Sequence, residues 1–449
     1  MRVRPAASIA VLTLVAVTQG GCSSPHHEAP ALPALSSTPP MGWNSWDSGI
    51  DLTEQNVKTV IDAMVSSGMR DAGYRYVNLD AGWSAPVRGP DGKLRADPAR
   101  FPDGIAGLAR YAHDRGLLFG LYASPYNEGC SAIPALASAG HEATDAQTFA
   151  DWGVDYLKYD WCRADADHDA QVRVFTTMRD ALNATGRRIL YSINPNSSND
   201  YTAGTRYDWS AIADMTRATT DLWPLWRDKM PSLGPLDPFP TKAALGVPDE
   251  FTAATKVTTP SRPGYWNDAD MLVVGLGWNE YATRHFTGIR TSLALPISDD
   301  QLKAFLLQQP NLTDIEQRTH FSLWAMLSAP LIAGNDIRAM SAQTRDILTD
   351  RDVIAVDQDP KVASARALPS DSRVLVKPLA DGAVAVAFVN FSDEPATITT
   401  TGESVGLRAA CNTARDLWSH KDTTTPGPLA SGALAPHAVT LLRVRAGCR

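Results

Sequence analysis

From Pro39 to Pro360 short apolar runs alternate with longer stretches in which apolar residues recur at helical spacing. Tyr76 to Asp80, Leu117 to Ala123, Tyr156 to Asp160 and Ile189 to Asn194 read as strands, each followed by a polar or glycine-rich turn. Gly104 to Arg115, with Ile105, Leu108, Ala109 and Ala112 on one face, and Gln171 to Leu182 read as helices. This alternation predicts an α/β architecture with a parallel sheet. Periodicity alone leaves two forms open, a closed (β/α)8 barrel and an open doubly wound sheet. No Gly-x-Gly-x-x-Gly or Walker-type loop opens a helix, which argues against a nucleotide-binding sheet. In a barrel the strand ends gather at one face, and Asp80, Asp160 and Asn194 would then share a mouth.

After Asp359-Pro360 the pattern shortens to near-alternating runs: Val374 to Val376, Ala383 to Val389, Thr397 to Thr400 and Val439 to Val444. Glycine, proline, serine and aspartate separate them, so residues 361–449 read as an antiparallel β domain behind a barrel at 39–360. A chain of 449 residues with 44% hydrophobic content favours two domains, in line with that change of texture.

The first residues read differently. Arg2 and Arg4 precede an apolar run, Ile9 to Val17, too short to span a bilayer, so residues 1–21 read as an export signal. Gly20-Gly21-Cys22-Ser23-Ser24 resembles a bacterial lipobox, in which Cys22 is lipidated and becomes the mature N-terminus. An ordinary cleaved signal is the alternative. Residues 22–38, rich in Pro, Ala and Ser, read as a tether. Both readings place the protein outside the cytoplasm, at the cell surface or beyond.

With Cys22 set aside, four cysteines remain, enough for two disulfides in an oxidising compartment. Cys130 and Cys162 lie in one half of the chain, Cys411 and Cys448 near its end, and one bridge per domain is the simplest pairing. A formal charge of −8 disfavours nucleic acid or an anionic membrane surface as the main partner and suits a neutral ligand. His113, His141, His168, His285 and His320 lack metal-ligand spacing, so neither a metal nor another cofactor is expected. Oligomeric state leaves no sequence signal.

The chemistry that fits a neutral polyol is glycoside hydrolysis. Retention of configuration needs two carboxyl groups roughly 5 Å apart, one attacking the anomeric carbon and one protonating the leaving oxygen. The run Tyr156-Leu157-Lys158-Tyr159-Asp160 ends a strand on a carboxylate, and alternation points Lys158 and Asp160 the same way. An aspartate at a strand end is also a common cap or turn former, and an aspartate alone would not decide between these roles. Asp268, in Asn267-Asp268-Ala269-Asp270, reads as a turn residue, and Trp46 has a packing alternative.

Five ordered blocks carry a resemblance. Pro39-Pro40-Met41-Gly42-Trp43-Asn44-Ser45-Trp46, Tyr156-Leu157-Lys158-Tyr159-Asp160-Trp161-Cys162 and Gly264-Tyr265-Trp266-Asn267-Asp268-Ala269-Asp270-Met271 are three of them. Leu323 to Leu331 and Asp352 to Pro360 complete the set. Together they resemble glycoside hydrolase family 27, the α-galactosidase (melibiase) family. The resemblance implies a catalytic (β/α)8 TIM barrel followed by a C-terminal antiparallel β-sandwich, and a double-displacement hydrolysis of terminal α-linked galactosides. It makes Asp160 the nucleophile and, through Arg217-Ala218-Thr219-Thr220-Asp221, makes Asp221 the general acid/base, with Arg217 on the 2-hydroxyl. Asp160 would have to be ionised and Asp221 protonated. Trp46 would stack on the sugar, Asp80 and Lys158 would bind hydroxyls, Tyr122 would close a wall, Asn194 would line the pocket, and Asp270 with Met271 would lie beside the ring. Cys130 and Cys162 match a family disulfide at the mouth.

The chain departs from that pattern at three places. Family members typically carry two adjacent aspartates after the second strand, where this chain has Asp80-Ala81-Gly82, and a glutamate after the fifth, where it has Ser192-Ile193-Asn194. Gly82 also stands where a disulfide cysteine is common. Losing one charged acceptor shifts hydroxyl discrimination by roughly 1.5–3 kcal/mol. An oligosaccharide or polysaccharide α-galactoside is therefore the first substrate reading. Another α-glycoside (dextran cut to isomaltose, an α-N-acetylgalactosaminide or a β-L-arabinopyranoside) is the second. A non-catalytic carbohydrate-binding lipoprotein is the third. The stretch Gly275 to Thr319, with Trp278, Tyr281, Phe286 and Phe305, follows a strand end and would wall off or extend the leaving-group side.

Overall fold

A computed structural model describes residues 37–126, 136–161, 167–197, 199–226, 246–285, 298, 300–301 and 309–448. The signal, Cys22, Cys130, Cys162, Phe286 and Phe305 lie outside the described residues.

Eight parallel strands form one sheet: β1 (Met41–Asn44), β2 (Tyr76–Leu79), β3 (Leu118–Ala123), β4 (Tyr156–Asp160), β5 (Leu190–Asn194), β6 (Met215–Arg217), β7 (Trp266–Asp268) and β8 (Leu331–Ala333). They pair in chain order, and β1 also pairs with β8, Met41 opposite Leu331 and Trp43 opposite Ala333. The chain after β7 closes the remaining gap, with Leu272 bridged in parallel to Ala333 and its amide donating to the Ile332 carbonyl at 2.7 Å. Sequential order with first-to-last pairing is a barrel, which decides between the two forms that periodicity left open.

Helices fill the crossovers: α1 (Glu54–Ser66), α2 (Met69–Ala72), α3 (Gly104–His113), α4 (Glu142–Trp152), α5 (His168–Ala184), α6 (Ala203–Arg206), α7 (Val247–Ala254), α8 (Trp278–His285), α9 (Asp314–Leu327), α10 (Ala342–Leu348) and α11 (Arg351–Asp357). The starts follow from capping chemistry. Thr53 caps α1, and Asp167 caps α5 from its side chain. Thr313 and Glu316 form a reciprocal capping box on α9. The predicted helix pattern of α3 holds, with Ile105, Leu108, Ala109 and Ala112 buried. Strand limits shift by a residue, so Asp80 is the first residue past β2.

Inside the barrel the side chains form layers, as period-two alternation requires. Tyr76, Tyr156, Met215 and Trp266, with Leu190, pack as an apolar floor. Two residues further along their strands come Lys158 and Arg217, and a second step along β4 reaches Asp160. The register puts Asp160 opposite Asn194, Lys158 opposite Tyr122 and Arg217 opposite Asp268. Polar groups are thereby confined to the C-terminal end of an otherwise apolar interior.

The C-terminal strands are β9 (Arg366–Leu368), β10 (Asp371–Pro378), β11 (Val384–Val389), β12 (Ala396–Thr400), β13 (Asn412–Asp416), β14 (Lys421–Thr425), β15 (Leu429–Leu434) and β16 (Val439–Ala446). Six form an antiparallel sheet in the order β14-β13-β16-β11-β10-β9, and β12 pairs with β15. Alternation divides the residues of β11 cleanly. Val384, Val386 and Phe388 join the core against Ile398, Leu429 and Leu434 of the two-stranded sheet, while Ala385, Ala387 and Val389 join the barrel's core. A strand buried on both faces sits at the centre of a sandwich that leans on a barrel. Cys411 and Cys448 form a disulfide that ties the segment before β13 to the one after β16, with Cα atoms 5.5 Å apart.

Candidate active site

A cavity of about 140 Å³ opens at the C-terminal mouth of the barrel. Trp46, Asp80, Tyr122, Lys158, Asp160, Asn194, Arg217, Asp221, Asp270 and Met271 all line it, so every expected catalytic or sugar-contacting residue meets at one place. Asp47, Ala81, Leu222 and Tyr281 complete the lining. The expected bridge between Cys130 and Cys162 lies outside the described residues.

The positions follow from strand ends and the turns after them. Lys158, inward-facing on β4, places Nζ 2.8 Å from Asp80 Oδ2 and 3.5 Å from Asp160 Oδ2. Asn44 donates to the same Asp80 oxygen at 3.1 Å, and the Ala81 amide donates to the other at 2.9 Å. Asp80 is thus held by charge and by backbone in one orientation. Burial pushes the Asp160 carboxyl up to about 6, against the pull of the Lys158 ammonium and with a smaller push from Asp80. It is ionised above that value.

Arg217 ends β6, and its guanidinium gathers three partners. It donates to the Thr220 carbonyl and to Asp221 Oδ1, each at 2.8 Å, and lies 2.5 Å from Asp270 Oδ2. Asp270 also accepts from the amides of Leu222 and Met271, each at 2.6 Å. Burial drives the Asp270 pKa upward while Arg217 opposes it. A carboxylate that takes one guanidinium and two amides is acting as an acceptor on both oxygens, the pattern of the ionised form. Its backbone sits at φ 77°, a left-handed conformation that aspartate tolerates better than most residues. Asp268 Oδ1 accepts from the Asp270 amide at 2.9 Å, so Asp268 shapes the turn, the role its sequence context suggested.

Neighbouring segments fix the loop that carries Asp221. Asn196 donates to the carbonyls of Arg217 and Thr219 at 3.0 and 2.8 Å. Gly204 packs so closely that a Cβ there would fall 2.0 Å from the Arg217 carbonyl oxygen, so only glycine fits. Trp324 of α9 donates its indole N–H to the Asp270 carbonyl at 2.9 Å, and Trp83 to that of Tyr122 at 3.0 Å. Rigid indoles with satisfied N–H groups hold the mouth's backbone. Trp46 is the exception among the tryptophans here: 42% of it is exposed, which makes it a surface at the rim rather than a core residue. Asp221 is the exposed member of the carboxylates, with 72% of its side chain open to solvent.

Sequence reasoning missed Asp47, although it follows Trp46 directly. Its carboxylate is buried and lies 3.2 Å from His285 Nε2. Tyr281 belongs to the aromatic stretch after β7 that was expected to wall the pocket, and it does border the cavity, while Trp278 and His285 lie on the same helix, α8. Five aspartates and two cations line the cavity, a polar and net-acidic setting for a neutral polyol whose transition state gains positive charge.

A family model described as "Alpha galactosidase A" matches residues 38–297 and 299–359, and one described as "Alpha galactosidase C-terminal beta sandwich domain" matches residues 369–444. The chain belongs to glycoside hydrolase family 27. Within this α-galactosidase family, the protein named Alpha-galactosidase A of Cellvibrio japonicus is 36% identical over 364 residues, spanning 80% of this chain and 78% of its own. Alpha-galactosidase A of Homo sapiens is 34% identical, spanning 85% and 81%. The crystal structure of α-galactosidase I from Mortierella vinacea superposes with a TM-score of 0.75 at 29% identity, covering 92% of this chain and 98% of that one. The family's two-part architecture is the barrel and sandwich described above.

Proposed function

We propose that this glycoside hydrolase releases terminal α-linked galactose from oligosaccharides or polysaccharides with retention, Asp160 acting as nucleophile and Asp221 as general acid/base. The observation that carries the reading is that these two carboxyls, from β4 and from the loop after β6, open onto one cavity of about 140 Å³ beside a half-exposed tryptophan. In the first step Asp160 attacks the anomeric carbon while Asp221 gives its proton to the departing oxygen. In the second, Asp221 takes a proton from water as that water displaces Asp160. Lys158 supports the ionised nucleophile from 3.5 Å, and Arg217, braced by Asp270, is placed to hold both Asp221 and a sugar hydroxyl.

A second substrate reading has a specific support. Ala81 and Asn194 border the cavity where typical family members carry acidic acceptors, so another α-glycoside competes with galactoside. A panel of nitrophenyl glycosides plus dextran separates them. Release from the α-galactoside, with the α-anomer of galactose appearing first in proton NMR, is expected. Release only from another glycoside would move the specificity and keep the chemistry.

We also propose export with lipid attachment at Cys22. The expected result is that the wild-type protein fractionates with membranes and takes up a radiolabelled fatty acid, whereas Cys22→Ala does neither. Unlabelled protein in the soluble fraction from both would reduce the leader to an ordinary signal.

A further inference from the structure

Asp47 has no part in the double displacement, yet its carboxylate is buried and borders the cavity. Burying a carboxylate is costly unless something compensates it. The compensation comes from α8: His285 Nε2 lies 3.2 Å from Asp47 Oδ1. The His285 ring is itself held between Trp46, 5.5 Å away centroid to centroid, and Tyr281, 4.2 Å away.

A purely structural role would make Asp47 the anchor of α8. The anchoring, however, uses the backbone. Arg284 Nη2 donates to the Asp47 carbonyl at 2.6 Å, a bond that any residue at 47 would accept. Gly49, at φ 66°, makes room for that arginine, because a Cβ there would fall 1.4 Å from Arg284 Nη1. The docking of α8 therefore has an anchor that does not depend on the Asp47 side chain. That side chain borders the same cavity and sits within electrostatic reach of both Lys158 and Asp221. In the wall after β2, the position next to Asp80 offers only the methyl group of Ala81.

We propose that Asp47, oriented by His285, is a specificity-determining residue that accepts a hydrogen bond from one ring hydroxyl of the bound sugar. The assignment rests on the glycosidase reading above. A carboxylate fixed by a partner on one side suits a hydroxyl donor on the other, because its position is set before the sugar arrives. Tyr281 packs against the orienting histidine and forms the cavity wall beside it.

The test compares Asp47→Ala with wild type on the preferred nitrophenyl glycoside and on its 2-, 3-, 4- and 6-deoxy analogues. The variant should lose about 10- to 100-fold in kcat/KM on the parent, as expected for a charged hydrogen bond. On the one analogue that lacks the contacted hydroxyl the loss should shrink to about twofold or less, since the acceptor then has no partner in either protein. Equal losses on every analogue, or none on the parent, would overturn the assignment and leave Asp47 a support for α8. Asp47→Asn keeps the side chain's size and should show the same selectivity for one hydroxyl if the alanine variant does not fold. Calorimetric binding of methyl glycosides of the same series, with Asp160→Asn in both proteins, reads the contact without turnover. Absence of hydrolysis by wild type would count against the glycosidase reading, while this binding comparison would still decide the role of Asp47.

Discussion

Asp160 combines burial with two charged neighbours of opposite sign, and its behaviour with pH follows from their balance. Its carboxyl is pushed up to about 6 because desolvation outweighs the Lys158 ammonium. The nucleophile must be ionised, so kcat/KM should fall on the acid side with an apparent pKa near 6 in the free enzyme; a plateau down to about pH 4 would contradict this. The sign for stability runs the other way. A carboxylate whose folded pKa is raised stabilises the fold fully below about 3.8 and loses that contribution as pH rises through about 6. Asp160→Asn should abolish turnover while the protein stays folded, with an unfolding midpoint no lower than that of wild type above pH 6. In Asp160→Gly, azide should restore part of the rate and yield a glycosyl azide of inverted configuration, because it attacks from the side the carboxylate occupied. The Asp160 and Lys158 placement was readable from alternation along five residues. Asp47 was not, because nothing local in Ser45-Trp46-Asp47 signals a histidine arriving from the 278–285 helix.

At the scale of elements, legibility tracked length. β3, β4 and β5 are five or six residues long and announced themselves, whereas β6, β7 and β8 have three residues each, too few for any period to register. Those short strands carry Arg217 and Asp268, so the acid side of the site was reached only through the family resemblance. β13, β14 and β15 escaped notice for another reason: Lys421–Thr425 is polar throughout and half of β15 faces solvent, so their hydrophobic pattern is faint. α9 begins inside the stretch read as a pocket wall, on a capping box of Thr313 and Glu316 that the sequence reading passed over. Thr313→Ala should cost about 1 kcal/mol in chemical denaturation. Because Trp324 of the same helix holds the Asp270 carbonyl, Trp324→Phe should lower kcat through Asp270 and Arg217 while leaving unfolding cooperative. Unaltered kcat would show that the turn holds itself.

At the scale of the whole molecule, barrel and sandwich share a buried seam. Lys377, on the barrel-facing side of β10, is fully buried and donates to the Ala325 carbonyl at 2.7 Å and to Ser328 Oγ at 2.6 Å, at the C-terminal end of α9. A cation there answers the helix dipole and unsatisfied carbonyls, though burial pulls its pKa down to about 8. Lys377→Met should lower the free energy of unfolding by about 1–3 kcal/mol, and an unchanged midpoint would refute this role for the seam. The Cys411–Cys448 bridge closes a separation of 37 residues, worth about 4 kcal/mol by chain entropy, so replacing both cysteines by serine should lower stability measurably. These features hold in place a mouth whose central property is that two carboxyls act on one anomeric carbon. Trapping with an activated 5-fluoroglycoside followed by peptide mass mapping examines that directly: the sugar should be found esterified to Asp160. A label on another residue, or turnover with inversion and no label at all, would contradict it.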